Sequence, residues 1–244
     1  MSAVERIAVI SGGSSGIGKA LVGQLHADGW RVHTCARDPD KLAALEHQFP
    51  GVQTTVCDLR NRAAVRAWAA SVLSISGAVD LLISNAGGLH EVDFCDADLA
   101  NVDLTADLRG NLESAVNLIA EFMPGLRHAA GGALLIVGSG YGLAPATRAP
   151  LYSAAKAALH SLSKSLRRQL APHGIRVTEL LPPVVDTPAV AHRKVPKLSV
   201  EVVAAAAIAG ALRGDSEVRP GAVRFLPLLL RLAPGFAERL VAGT

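Results

Sequence analysis

Aromatic side chains are scarce in this chain: two tryptophans, two tyrosines and five phenylalanines among 244 residues. Its interior therefore cannot rest on clusters of large rings. Half of the residues are apolar, and alanine, valine, leucine and glycine dominate, which suits helices packed closely on a parallel sheet. Cysteine is also sparse. Cys35, Cys57 and Cys95 are an odd number with no C-x-x-C spacing, which excludes a disulfide framework and a cysteine-built metal site and points to a reducing cytoplasm. His26, His33, His47, His128, His160 and His173 show no ligand spacing, so no metal is expected.

No apolar run approaches the ~20 residues of a membrane span. The start, MSAVERIAVISGG, carries Glu5 and enters a short apolar stretch at once, without the layout of a secretory signal. Charge is not blocked either. The formal net charge of +3 is spread along the chain, whereas nucleic-acid binding calls for a clustered basic face.

What is present is an alternation of short apolar runs and longer helical stretches. Strands are expected at Arg6–Ile10, Arg31–Ala36, Gln53–Cys57, Leu81–Asn85, Ala133–Val137, Arg176–Leu181 and Ala222–Leu226. Helices are expected at Gly16–Asp28, Pro39–His47, Arg60–Ser74, Leu99–His128 (with a break near Gly110), Tyr152–Ala171 and Ser199–Arg213. Seven strands joined by helices predict an α/β fold, a Rossmann-type doubly wound parallel sheet in a single domain over 1–244.

After the first strand comes Ser11-Gly-Gly-Ser-Ser-Gly-Ile-Gly18. Gly12, Gly16 and Gly18 allow a sharp turn and close approach to a pyrophosphate. The next helix aims its free N–H groups at that anion, and Ser14 and Ser15 add hydroxyl donors. At the end of the second strand, where a carboxylate usually holds the ribose of NAD, the chain has Ala36 and then Arg37. A guanidinium grips a 2′-phosphate in forked geometry, so NADP(H) is favoured over NAD(H).

Tyr152 and Lys156 lie at i and i+4, hence on one helical face, and Ser139 precedes the tyrosine. An ammonium beside a phenol favours the phenolate and lowers its pKa toward the working range of a general acid or base.

These residues resemble the short-chain dehydrogenase/reductase family from about Ile7 to Thr187. The loop SGGSSGIG matches, with Ser11 where threonine is more usual and Ile17 inside the motif. Cys57-Asp58-Leu59 matches the segment that contacts adenine. Ser84-Asn85-Ala86-Gly87 matches the motif after the fourth strand. Asn111, Ser139, Tyr152 and Lys156 match the catalytic tetrad, and Thr187 the threonine near the nicotinamide carboxamide. The segment Leu181-Pro-Pro-Val-Val-Asp-Thr187, with Pro182 and Val185 at cofactor-contacting positions, has Pro183 where the family often has glycine.

The resemblance implies NADPH-dependent reduction of a carbonyl to an alcohol, or the reverse, on a small molecule. Two alternatives stand beside it: a reductase of a C=N or C=C bond, and a non-catalytic NADP(H) sensor or scaffold. It also implies a homodimer or homotetramer and a substrate lid at about 188–198, short enough to admit a bulky or carrier-bound substrate. His90, Tyr141 and Val184 are candidates for the substrate pocket. His90 is otherwise a solvated loop histidine and Tyr141 otherwise a helix-packing residue. Arg148, Arg193, Lys194 and Lys197 are read as solvated, with an anionic substrate as the alternative. The apolar C-terminal segment, about 226–242, is expected to be buried against the sheet edge or a sister subunit, with a membrane-surface contact as the alternative.

Overall fold

The computed structural model describes residues 5–129 and 131–243. The single domain read as 1–244 includes residues 1–4, 130 and 244, which lie outside them. Seven parallel strands form one sheet in the order β3-β2-β1-β4-β5-β6-β7. They are β1 (Ile7–Ser11), β2 (Arg31–Ala36), β3 (Gln53–Val56), β4 (Leu81–Ser84), β5 (Ala133–Val137), β6 (Arg176–Leu180) and β7 (Glu217–Val218). The helices are α1 (Gly16–Ala27), α2 (Pro39–Gln48), α3 (Arg62–Ser76), α4 (Ser114–His128), α5 (Pro150–Leu170), α6 (Val200–Arg213), α7 (Leu226–Leu232) and α8 (Pro234–Ala242).

The central strands β1, β4 and β5 are buried at every position, because helices cover both faces of the sheet. Alternation along β1 shows how. Ala8 and Ile10 join Leu21, Leu25, Val203 and Ala207 from α1 and α6, while Val9 joins Trp68, Leu118, Phe122 and Leu159 from α3, α4 and α5. Trp68 and Phe122 meet edge to face, with ring centroids 4.9 Å apart, so two of the few aromatics lock α3 to α4. A third, smaller cluster of Ala144, Leu181, Val223, Leu226 and Ala237 seats α7 and α8.

Strand order reverses at β1 and β4, which places a crevice beyond their carboxyl ends. The glycine loop, which leaves β1 at Ser11, opens onto that end of the sheet. No helix of the described residues is long and apolar enough to cross a membrane.

Three segments differ from expectation. The last strand is Glu217–Val218, paired with β6, and Ala222–Leu226 instead belongs to a 3-10 turn (Gly221–Phe225) leading into α7. Pro227 sits in the first turn of α7, where its missing N–H is no loss, and so favours a helix starting at Leu226. Leu99–His128 is not one helix: a 3-10 turn (Ala97–Asn101) precedes a separate wide π turn (Leu108–Glu113) that runs into α4. The C-terminal segment buries Leu226 and Ala237 but leaves Leu228, Leu232, Phe236 and Leu240 exposed.

Candidate active site

The glycine loop is held by polar contacts from three strands. Ser11 Oγ accepts from the backbone N–H groups of Asn85 (2.9 Å) and Ala86 (3.0 Å) and donates to the Ile83 carbonyl (3.3 Å). Asn85 Nδ2 returns to the carbonyls of Ser11 and Gly12 at 3.0 and 3.1 Å. Thr34 Oγ1 donates to the Ile10 carbonyl and accepts from Gly13 N–H. Ser11 and Thr34 are thus structural parts of the loop. A hydroxyl at the end of an apolar strand marks Ser11, whereas Thr34 lies mid-strand in β2 and carries no local signal.

Gly12 and Gly16 have φ of +70° and +53°, a region that disfavours side chains, and a Cβ on Gly18 would lie 2.1 Å from the Gly12 carbonyl oxygen. Ser15 precedes α1 without a side-chain cap, so the first N–H groups of the helix are left for an anion. Ile17 packs on the core beneath, and Ser14 and Ser15 sit at the surface of the same turn. Thr187 stands against the loop, its Cγ2 3.1 Å from where a Gly16 Cβ would be.

At the far end of this seat, Arg37 is exposed and makes no hydrogen bond or ion pair among the described residues. Its neighbour Asp38 turns away to cap α2, accepting from the N–H groups of Asp40 and Lys41, and pairs with the Lys41 ammonium at 3.1 Å. Those bonds from Lys41 hold its carboxyl below the usual carboxylate range. Asp58 is gripped by Arg60, with Nη2–Oδ2 at 2.6 Å and Nε–Oδ1 at 3.0 Å. Arg60 is a partner that sequence reasoning missed. Leu59 is buried beside it, and its carbonyl accepts from Asn117 Nδ2 at 2.9 Å.

Asn111, Ser139, Tyr152 and Lys156 come together from the π turn, the end of β5 and the first turns of α5. Asn111 Nδ2 donates to the Gly88 and Asp107 carbonyls (2.8 and 2.9 Å), while its Oδ1 is buried beside Gly87 without a partner among the described residues. Ser139 Oγ accepts from Tyr141 N–H at 3.1 Å. Lys156 is buried, donates from Nζ to the Val137 carbonyl at 2.9 Å, and lies 5.5 Å from the centre of the Tyr152 ring.

The titration differs from expectation. Lys156 does not bring the phenol down. Burial pushes Tyr152 up to about 12, although the Ser139 hydroxyl stabilises the phenolate and pulls the other way. Burial likewise lowers Lys156 to about 8, against the opposing fields of Glu179 and Asp107. The physical reason is that desolvation penalises each charged form separately, and Lys156 sits over the ring and bonds to the backbone.

Asp107 and Glu179 are two further buried acids that sequence reasoning missed. Asp107 accepts from His90 through its backbone N–H (3.2 Å) and meets the ring Nδ1 at 2.7 Å. Glu179 on β6 meets His160 Nδ1 at 2.7 Å and accepts from Ser163 Oγ at 2.7 Å. Glu217 stands within 4.8 Å of both His160 and Glu179, a grouping from three elements that no local spacing reveals.

A cavity of about 250 Å³ is lined by His90, Glu91, Val102, Asp107 and Leu151, and none of the four tetrad residues lines it. His90 keeps an exposed side chain at its rim. Tyr141 packs edge-on to Tyr152 at 6.3 Å. Val184 is half-buried, and its carbonyl accepts from Leu198 N–H, tying the segment after β6 to the start of α6. Pro182 and Val185 are buried in that segment, and the Pro182 carbonyl accepts from Gly140 N–H at 3.1 Å. A larger groove of about 610 Å³ between α1 and α6 touches none of the four. Arg193 departs from the solvated reading: it is 6% exposed.

A parallel sheet with this loop at its switch point defines the Rossmann class of nucleotide-binding proteins. The family model described as short chain dehydrogenase matches residues 6–197, and the chain belongs to that family, whose members are oxidoreductases using NAD(P)(H). It is 34% identical over 187 residues to the uncharacterised oxidoreductase DltE of Bacillus subtilis, covering 77% of this chain and 74% of that one. It is 35% identical over 187 residues to a tropinone reductase homologue of Arabidopsis thaliana, covering 74% and 68%. Among solved structures, a short chain dehydrogenase of Burkholderia cenocepacia in complex with NADP superposes with a TM-score of 0.86 at 26% identity, covering 99% of both chains. The RhlG/NADP active-site complex of Pseudomonas aeruginosa gives 0.79 at 26% identity, covering 88% and 94%.

Proposed function

We propose that this protein is an NADP(H)-dependent carbonyl reductase in which Tyr152 is the general acid. The convergence of Tyr152, Ser139, Lys156 and the unpartnered Asn111 Oδ1 beside the glycine-loop seat carries this reading. When bound here, NADPH would supply the hydride for the carbonyl carbon. Tyr152 gives its proton to the oxygen on which negative charge develops. Ser139 donates a hydrogen bond to the same oxygen and orients it. With its pKa raised to about 12, the phenol is fully protonated at neutral pH and ready to act as an acid. Lys156, still mostly charged below about 8, grips the nicotinamide ribose. Asn111 Oδ1 holds a water that relays protons toward Lys156.

The seat fits NADP(H). Glycines at Gly12, Gly16 and Gly18 clear the backbone for the pyrophosphate, Ser14 and Ser15 donate to it, and Ile17 packs beneath. Asp58 and Leu59 would border the adenine, Asn85, Ala86 and Gly87 would contact the dinucleotide after β4, and Pro182, Val185 and Thr187 would hold its nicotinamide end. Arg37 takes the 2′-phosphate, because the acids nearest it, Asp38 and Asp58, are already paired with Lys41 and Arg60. The test is Tyr152→Phe, assayed for NADPH binding by fluorescence and for turnover on ketones, quinones, imines and acyl-carrier substrates. NADPH binding is expected to persist while turnover falls by about 10²–10⁴. Unchanged turnover removes the mechanism.

A further inference from the structure

Two guanidiniums meet a single carboxylate, Glu91, which also lines the cavity that holds Asp107. Arg193, in the segment after Thr187, donates from Nη2 to Glu91 Oε1 at 3.0 Å and from Nη1 to the Tyr141 hydroxyl at 3.3 Å. Arg148, in the loop before α5, brings its Nε to 3.3 Å from the same Glu91 oxygen, out of line for a hydrogen bond. Among the described residues, the Nε atoms of both arginines are buried and have no acceptor. The backbone fixes the arrangement: Val92 N–H donates to the Arg148 carbonyl at 3.0 Å, and Arg193 N–H to the Val190 carbonyl at 3.1 Å.

The cluster carries two positive charges and one negative. A buried guanidinium left with an idle N–H is costly, and the cost is relieved by an anion that supplies the missing acceptors. The cluster also borders the reaction centre. Tyr141 links Arg193 to the Tyr152 ring, and the field of Arg193 stabilises the Tyr152 phenolate. Asp107, the next acid inward, is already engaged by His90.

We propose that Arg193 and Arg148 form an anion subsite of the substrate cleft, so that the preferred substrate is a carbonyl compound bearing a carboxylate. A carboxylate presents two oxygens in one plane, the arrangement a guanidinium fork accepts. Glu91 occupies the subsite as an internal stand-in and gives way to the substrate. Because Arg193 belongs to the segment after Thr187, the incoming carboxylate also fastens that segment over the reactant. The inference rests on the carbonyl-reductase reading and narrows its substrate.

The test is a series of oxohexanoates with the ketone at each position, each compared with its methyl ester, using NADPH and the full chain. The wild type is expected to prefer acid over ester by about tenfold or more in kcat/KM. Arg193→Met lowers that preference by about tenfold through the KM of the acid, Arg193→Lys keeps part of it, and Glu91→Gln raises it. NADPH fluorescence and a melting curve on each variant separate misfolding from lost recognition, and Glu91→Gln carries the test if Arg193→Met does not fold. An acid-to-ester preference near unity overturns the subsite. So does an Arg193→Met effect equal on acids and esters, which marks a mere latch. Turnover confined to neutral ketones overturns the subsite and leaves the reductase standing. Absence of NADPH consumption with every carbonyl compound, despite bound NADPH, overturns both.

Discussion

The side-chain oxygen of Asn111 faces the backbone of Gly87 so closely that a Cβ there would fall 2.3 Å from it and 3.7 Å from Lys156 Nζ. Asn111 cannot step aside cheaply, because its Nδ2 is anchored by the Gly88 and Asp107 carbonyls. Gly87→Ala is therefore expected to displace the amide. Turnover should fall about tenfold or more, while stability drops by about 1–3 kcal/mol. Steady-state rates beside a denaturation curve check this, and a fully active variant removes Asn111 from the reaction.

Arg37 is expected to sort the two dinucleotides. Its guanidinium is exposed and unpaired among the described residues, and Asp38 and Asp58 are both occupied. Arg37→Ala should weaken NADPH by about 10–100-fold, the worth of a charge-assisted pair, and NADH far less. Fluorescence titration with both cofactors decides it; equal losses sink the 2′-phosphate assignment.

The pH profile should track Lys156. Its pKa is lowered by burial to about 8, while Tyr152 stays protonated until about 12. In the reductive direction, kcat/KM for NADPH reports groups of the unliganded enzyme. It should be level below about pH 8 and decline above it as the ammonium is lost. A plateau that persists into the phenol's own range contradicts this.

Folding stability should carry the same signature with a definite sign. The folded pKa of Lys156 lies below its ordinary 10.5. Below about 8 the buried ammonium costs stability, on the order of 3 kcal/mol before losses elsewhere. Between about 8 and 10.5 the folded protein has released the proton and the unfolded chain still holds it, so the cost fades as pH rises. Lys156→Met, which forfeits roughly 1 kcal/mol from the Val137 hydrogen bond, should be more stable than the parent near neutrality. That advantage should shrink toward about pH 10, as read from urea unfolding of both proteins.

Ser11 should prove structural. Its hydroxyl serves two N–H groups and one carbonyl. Ser11→Ala leaves buried donors unmet, which costs about 2–4 kcal/mol and lowers Tm by about 4–15 °C. An unchanged Tm contradicts the staple.

Much of this architecture was legible because parallel strands buried on both faces appear as unbroken apolar runs. β5, the run Ala133–Val137, begins and ends where such a run does. The glycine loop was legible because its chemistry is local. What escaped depends on distant partners. Glu217–Val218 is a strand because β6 offers it Glu179 and Leu180 as partners, whereas the more apolar Ala222–Leu226 has no period to tell helix from strand. Arg193 looks like part of a charged surface run. Its burial comes from Glu91 and Tyr141, both far away in the chain. The raised phenol is a consequence of burial, which the spacing of Tyr152 and Lys156 does not encode.

The wide turn at Leu108–Glu113 holds one residue more than regular winding would. Removing one residue there would rotate Asn111 by roughly 100° relative to α4. Leu118, Phe122 and Leu126, further along that helix, would keep their seats against the sheet. Under the proposed mechanism, fold and chemistry come apart at one surplus amino acid: a shortened chain is expected to assemble and take up nucleotide but to lose turnover.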